Sequence, residues 1–234
     1  MSRIRIYLET KIIKDQKILL GADHIHYLKN VLRTKNGDIV RAFDNDSEWN
    51  CIFSLEGEVT IMPFEKLRSN SFVPDIWVCF SLVKKRNINY LVEKISEIGV
   101  KKIIPLITDY SEKKCFNLSR LRKISIEASE QSNSLKVPEI LEVQSIENFL
   151  QNWDNKRMIF FCDESGGERI FDSRNIFKKY NKYAIFIGPI GGWSPNDRKL
   201  FKNLKIHNFT LGTNILKADT ASIFALSCLR AVTK

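Results

Sequence analysis

From residue 73 onward the chain alternates short apolar runs with amphipathic stretches of helical period, and few folds satisfy that alternation. Strands are expected at Ile76–Ser81, Lys102–Ile107, Met158–Asp163, Ala184–Gly188 and Lys205–Leu211. Helices are expected near Asn87–Ile98, Leu118–Gln131, Ile146–Asn152, Ile170–Lys179, Pro195–Asn203 and Asp219–Ala231. The first of these helices carries Ile88, Leu91, Val92, Ile95 and Ile98 on one stripe, the mark of a face that packs on a sheet. Strands that return through helices make right-handed crossovers, so this region reads as α/β with a mostly parallel sheet.

The first seventy residues have a different texture. Ile4, Ile6 and Leu8 alternate with Arg3, Arg5, Tyr7 and Glu9, which predicts a half-buried strand. Asp23 is read as the N-cap of a helix running to about Arg33, with Ile25, Leu28, Val31 and Leu32 on one face. An Asn36-Gly37 turn follows, then strands at Asp38–Phe43 and Glu48–Leu55 around a polar Asp44-Asn45-Asp46 turn, then an alternating run through Val59, Ile61 and Pro63. Several short strands at close spacing predict a small β-barrel. The polar stretch from Arg68 to Pro74 reads as a linker and divides the chain into domains 1–72 and 73–234.

Composition narrows the function classes. Five scattered cysteines without a Cys-x-x-Cys pair, and three separated histidines, argue against a disulfide framework or a metal centre. No long uncharged apolar run is present and the N-terminus has no signal-peptide pattern, so no membrane span is expected and the cytoplasm is the expected compartment. The net charge is +10, from 37 basic and 27 acidic residues. Residues 1–73 hold 11 and 10 of these, so the rest of the chain, with 26 and 17, carries nearly all the basic excess. A solvated basic surface and a footprint for phosphates both fit that excess. Charge alone does not separate DNA, RNA and an acidic protein.

In an open parallel sheet, ligands collect beyond the carboxyl ends of the strands. Three expected strand ends carry glycine-bearing loops: Asp163–Gly167, Gly188–Gly192 and Leu211–Leu216. A glycine turn often serves only to lead a strand into a helix, but three on consecutive strands could form one pocket. Neither the G-x-G-x-x-G dinucleotide fingerprint nor a G-x-x-x-x-G-K-[ST] phosphate loop is present. Short, largely apolar loops suit a flat heteroaromatic ring such as adenine, read by main-chain groups.

The segments Ile187-Gly188-Pro189-Ile190-Gly191-Gly192-Trp193-Ser194 and Leu211-Gly212-Thr213-Asn214-Ile215-Leu216-Lys217-Ala218-Asp219-Thr220-Ala221 resemble the two signature loops of the RsmE family. The likeness extends to His26-Tyr27-Leu28 with Val31-Leu32-Arg33 and Gly37-Asp38, to Lys94 with Glu97-Ile98-Gly99-Val100 and Ile104-Pro105, and to Glu127-Ala128 with Glu130-Gln131-Ser132 and Val137-Pro138. It covers nearly the whole chain in the expected order. The resemblance implies methylation of uridine N3 in small-subunit (16S) ribosomal RNA, with S-adenosylmethionine as cofactor. It further implies a PUA-like N-terminal β-barrel, a SPOUT-like C-terminal domain with a trefoil-knotted sheet, and a homodimer.

On that resemblance the cofactor would be held by Gly188, Pro189, Ile190, Gly191, Gly192, Leu211, Gly212, Ile215, Leu216 and Ala221. Catalysis would fall to Lys217, as the cation beside the developing uracil charge, and to Asp219, which takes the proton, fixes Lys217 or caps the final helix. RNA or the small ribosomal subunit would meet Lys84, Lys85 and Arg86 near the cofactor loops, with Lys29, Arg33 and Lys35 on the first domain; Gln131 and Ser132 would meet RNA or the partner subunit. Several family charges are missing, since Ile190 stands for a glutamate and Asn214, Tyr110 and Ser134 stand for arginines, while Lys217 for an arginine and Asp219 for a glutamate change the side chain but keep its charge. Those losses keep a second reading open, a degenerate member that binds RNA or ribosomes without methylating. A nucleotide-dependent oxidoreductase is the third reading, and the missing fingerprint weighs against it.

Overall fold

A computed structural model describes residues 4–69, 72–112, 116–164, 166–169 and 172–233, with the side chains of Lys85, Arg174, Asn175 and Lys178 outside the description. The chain forms two compact units. The first takes the described residues up to Phe72 together with Ser129–Val137, and the second takes Val73–Ala128 with the residues from Pro138 on. The division read from the sequence places Ser129–Val137 in the second domain; its hydrogen bonds attach it to the first.

In the first unit, β1 (Arg5–Tyr7), β2 (Ile18–Leu19), β3 (Ile39–Phe43), β4 (Ser47–Ser54) and β5 (Thr60–Ser69) form one sheet in the order β1-β3-β4-β5-β2. β1 runs parallel to β3 and the other pairs are antiparallel. Among the described residues no ladder joins β1 to β2, so the expected barrel takes the form of a five-stranded sheet with two edges. Its core gathers Ile6, Leu8, Leu28, Val40, Phe53 and Ile61. The expected helix is shorter and differently wound: α1 (Ala22–Ile25) begins at an N-cap of Gly21 rather than Asp23, and a π-helical turn continues over His26–Val31. The bond from Leu32 N–H to Tyr27 O, 2.9 Å, spans five residues. That wider turn rotates the expected apolar face, so Leu28 is buried while Val31 is 56% exposed.

Arg5, expected on the solvent side of β1, is instead buried. Its guanidinium lies 3.7 Å from the Phe43 ring centroid and its Nε donates to Glu48 Oε1 at 2.7 Å. The remaining nitrogens donate to the carbonyls of Ser129 (2.7 Å), Glu130 (3.2 Å) and Ser134 (2.5 Å). Tyr7 N–H donates to the Glu130 carboxylate and Val137 N–H to Asn45 Oδ1, both at 2.8 Å. Segment 129–137 is thus stitched to β1 and the β3–β4 turn.

The second unit is built on a seven-stranded sheet. In chain order it contains β6 (Asp75–Ser81), α2 (Lys85–Ile98), β7 (Lys102–Ile107), α3 (Leu118–Gln131), β8 (Glu139–Ile140), β9 (Gln144–Ser145), α4 (Ile146–Gln151), β10 (Met158–Cys162), α5 (Arg174–Lys179), β11 (Lys182–Ile187), α6 (Pro195–Leu200), β12 (Ile206–Phe209) and α7 (Ala218–Val232). The strand order is β12-β10-β11-β6-β7-β8, with β9 also on β7, and every pair is parallel. Residues 170 and 171, which open the expected helix Ile170–Lys179, lie outside the described residues.

Strand alternation divides the apolar side chains between two cores. Ile76, Val78, Phe80, Phe160 and Ile185 join α2 and α7 on one face, while Cys79, Ile104, Phe161 and Phe186 join α4 and α6 on the other. Burial on both faces is why these strands read as unbroken apolar runs. The α2 residues Ile88, Leu91, Val92 and Ile95 are all buried, each contributing about 2 kcal/mol of transfer free energy. Gly99, at φ +94°, ends α2 in a conformation that favours glycine.

At the amino end of the sheet Arg157, only 2% exposed, lies 3.6 Å from the Trp77 ring centroid and pairs with Asp75 at 2.9 Å. Burial alone would raise the Asp75 carboxyl, but Arg157 and Lys101 outweigh it and hold the group below its ordinary value. A depressed carboxylate contributes stability that is present above its unfolded value and is lost as pH falls through the folded one. The unit is therefore expected to lose stability more steeply between about pH 5 and about pH 3 than an Asp75→Asn variant does. Urea unfolding across that range checks this, and equal slopes would refute it.

Candidate functional site

Beyond the carboxyl ends of β6, β10, β11 and β12 opens a cavity of about 470 Å3, lined wholly by the second unit. Each strand supplies one wall. Val83, Lys84 and Asn87 follow β6; Cys162, Asp163 and Glu164 end β10; Ile187–Ile190, Gly192 and Trp193 follow β11; and Thr210–Ala218 with Ala221 follow β12. The strand order places β10 and β11, adjacent in sequence, between the late β12 and the early β6, and such a reversal leaves a crevice at the strand ends.

The walls are held by a polar network behind the cavity. Ser194 caps α6 by accepting from Asp197 N–H at 3.0 Å, and Asp197 Oδ2 accepts from Ser194 N–H at 3.1 Å. The same Ser194 hydroxyl donates to Asp109 Oδ2 at 2.6 Å, tying the loop after β7 to the loop after β11. Arg198, in the next turn of α6, grips both carboxylate oxygens of Asp163 and donates Nε to Trp193 O at 3.2 Å. The hydrogen bond to Asp163 raises the Arg198 guanidinium above its ordinary value. Trp193 Nε1 donates to Cys162 O at 3.2 Å, and the indole packs on Phe161 with ring centroids 4.8 Å apart.

The glycine loops do different work. Gly192, at φ +72°, leaves space for the Glu164 carboxylate, which any Cβ there would strike. Gly167 does not face the cavity set; its missing side chain lets the chain lie against the Asn208 backbone, where Glu168 N–H donates to Asn208 O at 3.0 Å. Burial pushes the Cys162 thiol up to about 12, so at neutral pH it stays protonated and is a poor nucleophile within the cavity.

Of the ten residues expected to hold a cofactor, nine line the cavity: Gly188, Pro189, Ile190, Gly192, Leu211, Gly212, Ile215, Leu216 and Ala221. Gly191 does not, since it faces the Tyr110 ring. Lys217 lines the cavity from the N-cap position of α7. That leaves Asp219 in the first turn of α7 rather than at its cap, with Oδ1 accepting from Thr220 N–H at 2.9 Å, and outside the cavity lining. Lys84 is exposed on the cavity rim, Arg86 is exposed on α2, and the Lys85 side chain lies outside the described residues. Lys29, Arg33 and Lys35 are exposed on the first unit, as is Gln131 of the stitched segment, while Ser132 is half-buried with its hydroxyl 3.5 Å from Ser129 O.

Sequence reasoning places Glu164 in one of the three pocket loops but gives it no role, and it overlooks Arg198 as the holder of Asp163 and the Asp109–Ser194 link. The Ser194-Pro195-Asn196-Asp197 run is a capping-box pattern with proline at the first helical position, a signal that could have found the α6 network. No comparable local signal pairs Arg198 with Asp163, which are 35 residues apart.

Comparison with known proteins adds to this geometry. Residues 70–230 match the family described as RNA methyltransferase domain, and residues 20–58 match the RNA methyltransferase PUA domain. The ribosomal RNA small subunit methyltransferase E of Rickettsia conorii is 30% identical over 233 residues, covering 97% of this chain and 94% of that protein. The protein of the same name from Bacillus subtilis is 24% identical, covering 90% and 88%. Among solved structures, the ribosomal RNA small subunit methyltransferase E from Neisseria gonorrhoeae bound to S-adenosyl methionine superposes with a TM-score of 0.86 at 20% identity, covering 99% of this chain and 98% of that one. The fold is therefore that of a SPOUT-type α/β methyltransferase with a PUA-like N-terminal region, and the chain belongs to the ribosomal RNA small subunit methyltransferase E family.

Proposed function

We propose that this chain transfers a methyl group from S-adenosylmethionine to N3 of a uridine in 16S ribosomal RNA, working as a homodimer in the cytoplasm. One observation carries the reading: the two loops that resemble the family's signatures, which follow the different strands β11 and β12, close on a single cavity at the carboxyl ends of a parallel sheet. The residues present fit the donor. The volume, about 470 Å3, lies in the range of small-ligand sites. Apolar Ile187, Leu211 and Leu216 offer walls for an adenine ring, exposed loop backbone offers hydrogen bonds, and Lys84 offers a cation for a carboxylate.

When bound, S-adenosylmethionine supplies an electrophilic methyl group. The chain must then orient the base and favour loss of its N3 proton. Lys217 stands on the cavity wall with no ion pair among the described residues, so its ammonium is available to the negative charge that develops on the uracil. Asp219 lies off that wall, and its part in the reaction is confined to the first turn of α7, where a carboxylate favours the helix.

Two further parts of the proposal rest on α7. The exposed positions of this helix are Thr220, Phe224, Ser227 and Ala231, none charged, and beside them Ile215 and Ile190 are 87% and 71% exposed. An uncharged surface of that kind supports coverage by a second copy. The chain leaves β12 at the sheet edge and returns as α7 onto β11, β6 and α2, a path that supports the knot expected of the class.

The test has two arms. Calorimetry with S-adenosylmethionine should show binding, weakened about tenfold by Gly192→Ala through backbone strain and displacement of Glu164. Small-subunit RNA from cells lacking the protein should have lost one N3-methyluridine. An unchanged modification map alongside intact donor binding would leave the non-methylating, RNA-binding reading in its place.

A further inference from the structure

Among the described residues, every charged group lining the cavity but one is accounted for. Asp163 is gripped by Arg198, Lys217 and Lys84 are given roles above, and Asp219 lies off the wall. The remaining group is Glu164. Its carboxylate lines the cavity against Gly192 and takes no hydrogen bond or ion pair among the described residues. The Arg198 guanidinium acts on it only through the longer-range field.

We propose that Glu164 is the group that reads the ribose of the methyl donor, accepting hydrogen bonds from its 2′- and 3′-hydroxyls. The inference rests on the donor reading above and names a residue for it. Glu164 ends β10, between the β11 loop at Gly188–Gly192 and the β12 loop at Leu211–Leu216, the two loops whose apolar and main-chain groups suit an adenine. The sugar is the group attached directly to that ring. A carboxylate has two acceptor oxygens and no donor, the complement of a vicinal diol. Bonds from a neutral donor to an ionised acceptor are stronger than neutral ones. The cation at Lys84 stands across β11 at the β6 wall, so Glu164 and Lys84 lie on separate walls, as the sugar and the amino-acid carboxylate of such a donor would require.

The position of Glu164 also gives Gly192 a specific purpose. Only a residue without a Cβ lets the carboxylate lie over that loop, so the two positions form one device for holding the sugar.

Binding is measured by calorimetry for the wild type and for Glu164→Ala, with S-adenosylhomocysteine, its 2′,3′-dideoxy analogue and S-adenosylmethionine. Glu164 is exposed, so its replacement should leave the fold unchanged, and thermal unfolding controls for this. Expected is a loss of about ten- to thirtyfold with S-adenosylhomocysteine and less than about twofold with the dideoxy analogue. Equal losses with both ligands would overturn the assignment, because the diol would then be irrelevant. A loss confined to S-adenosylmethionine would also overturn it and make Glu164 a counter-ion for the sulfonium. Failure of the wild type to bind any of the three would overturn the donor reading itself, an outcome distinct from the other two.

Discussion

Lys217→Ala is expected to lower turnover about 10²- to 10³-fold while leaving donor affinity within about threefold. The magnitude is that of removing one preorganised charge from a site where charge develops only as the reaction proceeds. The uracil N3–H is a weak acid, and its anion forms as the carbon–nitrogen bond is made. The Lys217 side chain leaves the backbone at the N-cap of α7, on a wall whose other members are glycine, apolar or neutral polar from Thr210 to Leu216. Among the described residues it has no ion pair that would fix it in another role. Single-turnover rates and calorimetric affinities, measured on the same variant, separate the two contributions. A parallel fall in both would make Lys217 a holder of the donor and leave the reaction without an assigned cation. Lys217→Arg should recover part of the rate, since charge is kept and only its position changes.

Glu48→Ala is expected to remove about 3 kcal/mol of stability from the first unit. Glu48 is 1% exposed and accepts from Arg5 Nε at 2.7 Å and Arg68 Nε at 2.5 Å. Removing it strands the buried Arg5 guanidinium, which burial already draws below its ordinary value and which Glu48 opposes. The peptide carbonyls of Ser129, Glu130 and Ser134 remain as its partners, so hydrogen bonding survives in part while the compensating charge is lost. Arg68, at the surface end, can turn to water, and its share of the loss is small. Hydrogen exchange at the amides of β3 and β4 reports on this unit directly. Exchange unchanged from the wild type would show that the pair contributes nothing net. Glu48→Gln, which keeps acceptors without charge, should lie between the two.

Much of the second unit is legible in the sequence because its strands are buried on both faces and its helices on one. β7 and α3 fall where the apolar period places them, and the α2 stripe is buried as expected. β8 and β9 escape detection because two residues cannot display a period. The N-terminal helix is misjudged for another reason. A π-helical turn has a different repeat, and a face drawn at 3.6 residues per turn drifts off Val31.

The site divides along similar lines. Glycine loops announce themselves in sequence because backbone shape demands particular residues, and nine of the ten residues expected to hold a cofactor lie along one cavity. Gly191 shows the limit, since consecutive glycines in one turn point different ways. Arg198 and Asp109 are invisible to local reading, as is the approach of Glu164 to Gly192. Their partners lie in other loops, and only the strand order brings them together. Arg5 is the same lesson in the first unit: alternation marks it as a solvent-facing residue, but its charge is neutralised by Glu48 on a strand more than forty residues away.

The stitched segment Ser129–Val137 has a consequence for how the chain is made. A ribosome releases residues in order, and a unit ending at Phe72 could fold while the rest was still being synthesised. Here Arg5 waits for carbonyls that emerge more than 120 residues later. Until then its guanidinium has Glu48 but not its full set of acceptors, and the edge strand β1 lacks the bond from Tyr7 N–H to the Glu130 carboxylate. The first unit to begin is thus completed only after β6, α2, β7 and the whole of α3 have been produced. Nascent chains arrested before residue 129 should therefore present an unfinished, protease-sensitive first unit.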